Sequence, residues 1–175
     1  MSKIKIGIAG CLGRMGQEIV KQVLKDNRFI FVGGFENKNH PKVNKKISEV
    51  VNIKSDLIIS GKADDIISKA HVIVDFTSPL ATISNIQKAS LSKTGYVVGT
   101  TGMTKKQLST IRSYSKNIPI LMSSNMSLGV NLLFNIVQQT ASVLKSSEYD
   151  IEINETHHKY KVDAPSGTAL SLGEY

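Results

Sequence analysis

The first strand-and-turn segment, Lys3 to Glu36, constrains the fold of this chain more than any other stretch. Lysines alternate with Ile4, Ile6 and Ile8, and the run then enters glycine. Alternation of period two that ends in glycine predicts a strand stopping at a tight turn. From Arg14 the apolar spacing changes, and Met15, Ile19, Val20, Val23 and Leu24 fall on one helical face. FIFVGGFE, Phe29 to Glu36, reads as a second strand. Strand, turn, helix, strand is a βαβ unit, with a connection long enough for a right-handed parallel crossover.

The alternation continues. Asn37 to Ser48 is polar and lysine-rich and predicts an exposed loop. A weak strand is expected at Leu57 to Ile59, and a short helix at Ala63 to Lys69. Val72 to Phe76 is a continuous apolar run of the kind buried on both faces of a sheet. A helix over Thr82 to Ser92 precedes a strand at Tyr96 to Gly102. Thr104 then suits the N-cap of a helix to Ser115. Ile118 to Ser124 is the next strand, with Pro119 placing its start near the edge of its partner. The pattern predicts an α/β fold with an open, doubly wound parallel sheet. Beyond Ser124 the character shifts to a small-residue joint, Asn125 to Asn131. A helix from Val130 to Leu144 and an alternating strand from Tyr149 to Asn154 follow. The expected domains are 1–124 and 125–175.

Composition narrows the function classes. The chain has 175 residues, 41% of them hydrophobic, enough for a real core. Its formal charge is +8, but among the 22 basic residues only Arg14, Arg28 and Arg112 are arginine, the lysines are scattered and tryptophan is absent. That pattern predicts a solvated surface rather than a nucleic-acid interface, which gathers arginine and aromatics on one face. No apolar run approaches the roughly 20 residues needed to cross a bilayer, and the first residues lack the apolar block of a signal peptide. The lone Cys11 excludes an internal disulfide framework and a thiolate metal cluster. No membrane partner and no metal are expected, and the cytoplasm is the expected compartment.

The first turn reads GCLGRMG, with Gly10, Gly13 and Gly16. Glycine lets backbone approach a pyrophosphate closely, and a helix N-terminus offers free N–H groups. Such a turn also occurs with no ligand; its place between a strand and a helix is what points to a dinucleotide. Glu36 closes the second strand twenty residues after Gly16, where an acid can accept from both adenosine ribose hydroxyls. A 2′-phosphate would be repelled there, although Arg14 or Lys38 partly offsets this, so NADH is expected over NADPH. Two strand-end turns, Phe76 to Pro79 and Gly99 to Gly102, are suited to wall the nicotinamide end.

The densest chemistry lies in ETHHKYKVDAPSGTA, Glu155 to Ala169. Alone, HHKYK is a solvated basic loop and PSGT an ordinary helix cap. Joined within fifteen residues beside a dinucleotide fold, they read as an anion-binding catalytic loop. Lys159 and Lys161 supply charge, while the backbone and hydroxyls of Ser166, Gly167 and Thr168 supply fixed donors for a carboxylate. Histidine changes protonation near neutral pH, as proton delivery requires. Adjacent histidines cannot easily share one metal ion.

GCLGRMG, DFTSP, GTTG, SSNMSLGVN and ETHHKYKVDAPSGTA, in this order along the chain, resemble the dihydrodipicolinate reductase family. The resemblance implies a Rossmann-type dinucleotide-binding domain joined to a smaller α+β substrate domain. It implies hydride transfer from NADH or NADPH to a cyclic dicarboxylate in diaminopimelate and lysine biosynthesis, with a proton added by the enzyme. By resemblance His157 is the general acid or proton relay, and Lys161 relays the proton and holds substrate. His158, Ser166, Gly167 and Thr168 surround the substrate carboxylates. Gly10, Gly13, Arg14, Met15, Gly16 and Glu36 form the cofactor cradle. Gly99, Thr100 and Thr101, with Ser124, Asn125 and Met126, lie on the nicotinamide side. The family's chains are longer and form homotetramers, so this sequence is expected to hold an incomplete substrate domain and to lack the main tetramer contact. A non-catalytic nucleotide-binding module is the alternative. A semialdehyde dehydrogenase would need a nucleophilic cysteine, and Cys11 lies in the phosphate turn.

Overall fold

Five strands form one parallel sheet in the order β2-β1-β3-β4-β5. They are β1 (Ile4–Ala9), β2 (Phe29–Phe35), β3 (Val72–Asp75), β4 (Gly95–Val98) and β5 (Ile120–Met122). The computed structural model describes residues 2–144, 149–159 and 164–174. The chain divides into two units, Met1–Met122 and Ser123–Tyr175, and the sheet belongs to the first.

The strand order records a reversal of winding between β1 and β3. The α1 helix (Arg14–Lys25) crosses from β1 to β2 and buries Val20 and Val23 against Ile6, Ile8 and Phe31. After the reversal the crossovers cover the opposite face. There α2 (Asp64–Ile67), α3 (Pro79–Leu91) and α4 (Lys105–Tyr114) pack Ile66, Ile67, Ile86, Ala89 and Ile111 on Ile73, Tyr96 and Val98. Each fully buried aliphatic side chain in these layers contributes about 1.5–3 kcal/mol of transfer free energy. Helix α4 begins with a complete capping box, in which Thr104 Oγ1 accepts from Gln107 N at 3.2 Å and Thr104 N donates to Gln107 Oε1 at 2.8 Å.

Several elements differ from the sequence expectation. On α1 the buried stripe is Gly16, Val20 and Val23, while Met15 and Leu24 are exposed. The weak strand at 57–59 shrinks to isolated bridges, Lys46 with Ile58 and Phe35 with Ser60. Leu57 and Ile58 find no apolar cover there and stay exposed. The polar loop after β2 ends in a 3-10 turn, Ile47–Glu49, whose Ile47 is buried with Val51 beside α1. Helix α3 starts three residues early because Pro79 fits the first helical turn after Ser78.

In the second unit, α5 (Leu128–Leu144) packs against α6 (Gly167–Gly173). Helix α5 begins two residues before the expected Val130 and buries Phe134, whereas Leu128, Leu132 and Ile136 are exposed. The expected strand over Tyr149 to Asn154 is not formed. A strand exists through its ladder, and no neighbouring strand pairs with these residues among those described. Tyr149, Ile151 and Ile153 are exposed in consequence. No helix among the described residues is long and apolar enough to cross a membrane.

Candidate functional sites

The first site lies where the winding reverses, beyond the carboxyl ends of β1 and β3, the usual ligand position in such sheets. A cleft of about 620 Å³ is lined there by Gly10, Gly13, Glu36, Lys38, Thr77 and Ser78, among others. The turn is held by Gly10 N–H donating to Phe35 O at 2.9 Å and Gly13 N–H donating to Gly10 O at 3.0 Å. Gly10 has φ +67°, a conformation that disfavours side chains. A Cβ on Gly16 would lie 2.1 Å from Gly10 O, so only glycine lets α1 start this close to the turn. No side chain caps α1 and no acidic residue stands in its first turn. Its uncapped N–H groups and partial positive charge are what a pyrophosphate needs, so these residues fit a dinucleotide.

Glu36, half-buried at the end of β2, accepts from Leu12 N at 3.2 Å and from Asn37 N at 3.3 Å. It thereby joins the glycine turn to the following loop. Arg14 and Met15 open α1 and are exposed. Cys11 is fully buried behind the turn; burial first, and the Glu36 charge second, push its thiol up to about 12. It is a packing residue, not a nucleophile.

A polar network that the sequence reading missed lies beneath this end of the sheet. Asp75, the last residue of β3, is fully buried. Its Oδ1 accepts from Thr77 N at 2.8 Å, Thr77 Oγ1 at 2.6 Å and Thr100 Oγ1 at 3.3 Å. Its Oδ2 accepts from Tyr96 Oη at 2.6 Å and Asn85 Nδ2 at 3.4 Å. Thr82 Oγ1 donates to Thr100 Oγ1 at 2.9 Å. Burial, then the Asp75 charge, pushes the Tyr96 phenol well above its ordinary value. The Thr100 side chain therefore faces inward, and the exposed part of the Gly99–Thr101 turn is Thr101.

The second site lies in the second unit. Ser166 caps α6, accepting from Ala169 N at 3.0 Å, and is itself buried. Glu155 reaches it across eleven residues: Oε1 accepts from Ser166 N at 2.7 Å, and Oε2 accepts from the Ser166 hydroxyl. The same Oε2 lies 3.6 Å from His157 Nδ1. Glu155 thus joins His157 to the start of the PSGT helix, a role its sequence position gave no local sign of. Thr168 Oγ1 accepts from Asn125 Nδ2 at 3.2 Å, and Ser124 Oγ lies 2.9 Å from Ser171 Oγ. The Ser124 to Met126 joint is thereby tied to α6, with Met126 itself exposed. Gly167 begins the helix, and His158 is exposed. Lys161 lies outside the described residues.

Comparison with known proteins gives this arrangement a family. The family profile described as "Dihydrodipicolinate reductase, N-terminus" matches residues 4–126, and its companion, "Dihydrodipicolinate reductase, C-terminus", matches 129–175. The chain belongs to the dihydrodipicolinate reductase family. Relatives named 4-hydroxy-tetrahydrodipicolinate reductase include one from Pelagibacter ubique, 42% identical over 174 residues, which cover 99% of this chain and 63% of the relative. One from Aquifex aeolicus is 38% identical over 176 residues, 98% of this chain and 65% of the relative. One from Buchnera aphidicola is 37% identical over 171 residues, 97% of this chain and 62% of the relative. This member of the dihydrodipicolinate reductase family thus spans a little under two thirds of the length of those curated relatives. Among solved structures, the dipicolinate-bound dihydrodipicolinate reductase from Paenisporosarcina sp. TG-14 matches with a TM-score of 0.74 at 27% identity, over 99% of this chain and 65% of that one. Homoserine dehydrogenase from S. aureus, at 12% identity and a TM-score of 0.57 over 71% of this chain and 33% of that one, shares the fold.

Proposed function

We propose that this chain carries the nucleotide-binding and proton-delivering parts of a 4-hydroxy-tetrahydrodipicolinate reductase, acting on a cyclic dicarboxylate in diaminopimelate and lysine biosynthesis. Residues 1–124 are the dinucleotide-binding domain, and 125–175 belong to the substrate domain. The reading is carried by Gly16: a helix start brought so close to Gly10 O that no Cβ fits, with uncapped N–H groups, suits a pyrophosphate. A reduced nicotinamide, when bound, supplies a hydride.

The chain's residues do the rest. Gly10, Gly13 and Gly16, with the backbone of Arg14 and Met15, hold the pyrophosphate. Glu36 accepts from the ribose hydroxyls, which favours NADH over NADPH. Gly99, Thr101 and the backbone of Thr100 serve the nicotinamide end of the cofactor, and Ser124, Asn125 and Met126 are assigned to cofactor binding. His158, Ser166, Gly167 and Thr168 bind the substrate carboxylates, and Lys161 supplies the charge that a dianion requires. A ligand carboxylate at Ser166 competes with Glu155 for the same N–H and hydroxyl. His157 delivers the proton, with Lys161 as its relay and Glu155 beside its Nδ1.

Calorimetry with NADH and with pyridine-2,6-dicarboxylate tests this. Binding of both is the expected result. NADH binding alone would leave a non-catalytic nucleotide-binding module, and binding of neither would remove the reading.

A further inference from the structure

The Asp75 network is not needed to close the sheet. A carboxylate taken out of water is costly unless donors replace its hydration, and no ion pair among the described residues neutralises Asp75. An apolar residue would end β3 more cheaply. What the carboxylate achieves is convergence. Donors arrive from the turn after β3 (Thr77), from α3 (Asn85), from β4 (Tyr96) and from the turn after β4 (Thr100). Thr77 N–H also donates to Thr100 Oγ1 at 3.1 Å, so the two strand-end turns are joined both directly and through Asp75.

A third turn is reached through Thr77. Its hydroxyl donates to Asp75, and this fixes its rotamer. Its methyl then lies where it would meet a Cβ on Gly10 at 2.7 Å. The side chain set by Asp75 therefore packs against the positive-φ residue of the glycine turn. Thr77 and Gly10 both line the nucleotide cleft.

We propose that Asp75 is a positioning residue for the dinucleotide. It holds the Thr77 and Thr100 turns in one fixed relation and seats Thr77 beneath Gly10, without touching the ligand itself. The inference rests on the nucleotide-binding reading above. Tightly positioned binding groups lose affinity when their supporting residues are removed, even where the fold survives.

The test is NADH affinity by calorimetry, well below each variant's melting temperature, beside a melting curve for the same sample. Asp75→Ala is expected to weaken NADH binding about tenfold or more, and Asp75→Asn, which keeps an acceptor for Thr77 N–H, to restore binding to within about threefold of wild type. Tyr96→Phe removes a donor on the side away from both turns, so it is expected to lower the melting temperature and leave affinity within about twofold. If Asp75→Ala does not fold, Thr100→Val is measured in its place; it deletes the hydroxyl shared by the two turns and is expected to weaken NADH. Affinity unchanged in Asp75→Ala, or in Thr100→Val where that replaces it, would overturn the proposal. So would equal weakening by Tyr96→Phe, which would make the effect one of stability alone. Wild-type protein that binds no NADH removes the nucleotide reading and this inference together, whereas wild-type binding with insensitive variants removes the inference alone.

Discussion

Tyr96 Oη donates to Asp75 Oδ2 at 2.6 Å, and both side chains are closed off from solvent on the central strands of the sheet. Among the described residues, Tyr96→Phe leaves that oxygen with only the longer Asn85 contact of 3.4 Å. The expected cost is about 1–3 kcal/mol, the penalty for a buried acceptor that loses its main donor. Denaturant unfolding with a lowered midpoint and an unchanged slope checks it.

Gly16→Ala is expected to destabilise, although alanine is the better helix former by about 1 kcal/mol. The added methyl would lie 2.1 Å from Gly10 O, a backbone atom that cannot move without breaking the turn. NADH affinity is expected to fall with stability, because the same displacement would open the proposed pyrophosphate cradle. Calorimetry and melting curves on one preparation check both.

Alkaline pH is expected to destabilise the fold. The folded state holds the Cys11 thiol up to about 12 against an ordinary 9.0, so it binds a proton that the unfolded chain releases first. The associated stability is full below pH 9.0 and lost as pH rises towards about 12. Tyr96 acts in the same direction above its ordinary 10.0. Chemical denaturation across this range checks the slope, and Cys11→Ala is expected to delay its onset. At neutral pH a thiol reagent is expected to label Cys11 only on unfolding.

Glu36→Ala is expected to weaken NADH about tenfold while affecting NADPH less, since on the proposed reading it removes an acceptor for the ribose hydroxyls and a charge that would repel a 2′-phosphate. Paired titrations with the two reduced cofactors check the change in ratio.

The sheet was legible because its signals are local. Alternation at Ile4, Ile6 and Ile8, the glycine turn, and Thr104 as an N-cap each act within a few residues of the element they shape. The Asp75 network was not legible. Its partners, Thr77 to Thr100, sit on four separate segments and meet only after β3 and β4 pair in parallel. Glu155 was likewise hidden, because its partner Ser166 is eleven residues away with the loop between. The alternation at Tyr149 to Asn154 suggested a strand that is not formed, because a pattern supplies only one side of a ladder. Met15 and Leu24 were placed on the buried stripe by apolarity, whereas the packed stripe follows Gly16, where α1 meets the turn.

The most direct measurement is the rate of NADH oxidation with the proposed cyclic dicarboxylate substrate, in wild type and in the double variant His157→Gln, Lys161→Met. The double variant is expected to lose at least about 100-fold in turnover, the scale of a removed proton donor, with NADH affinity unchanged. Turnover by the double variant at the wild-type rate would contradict it.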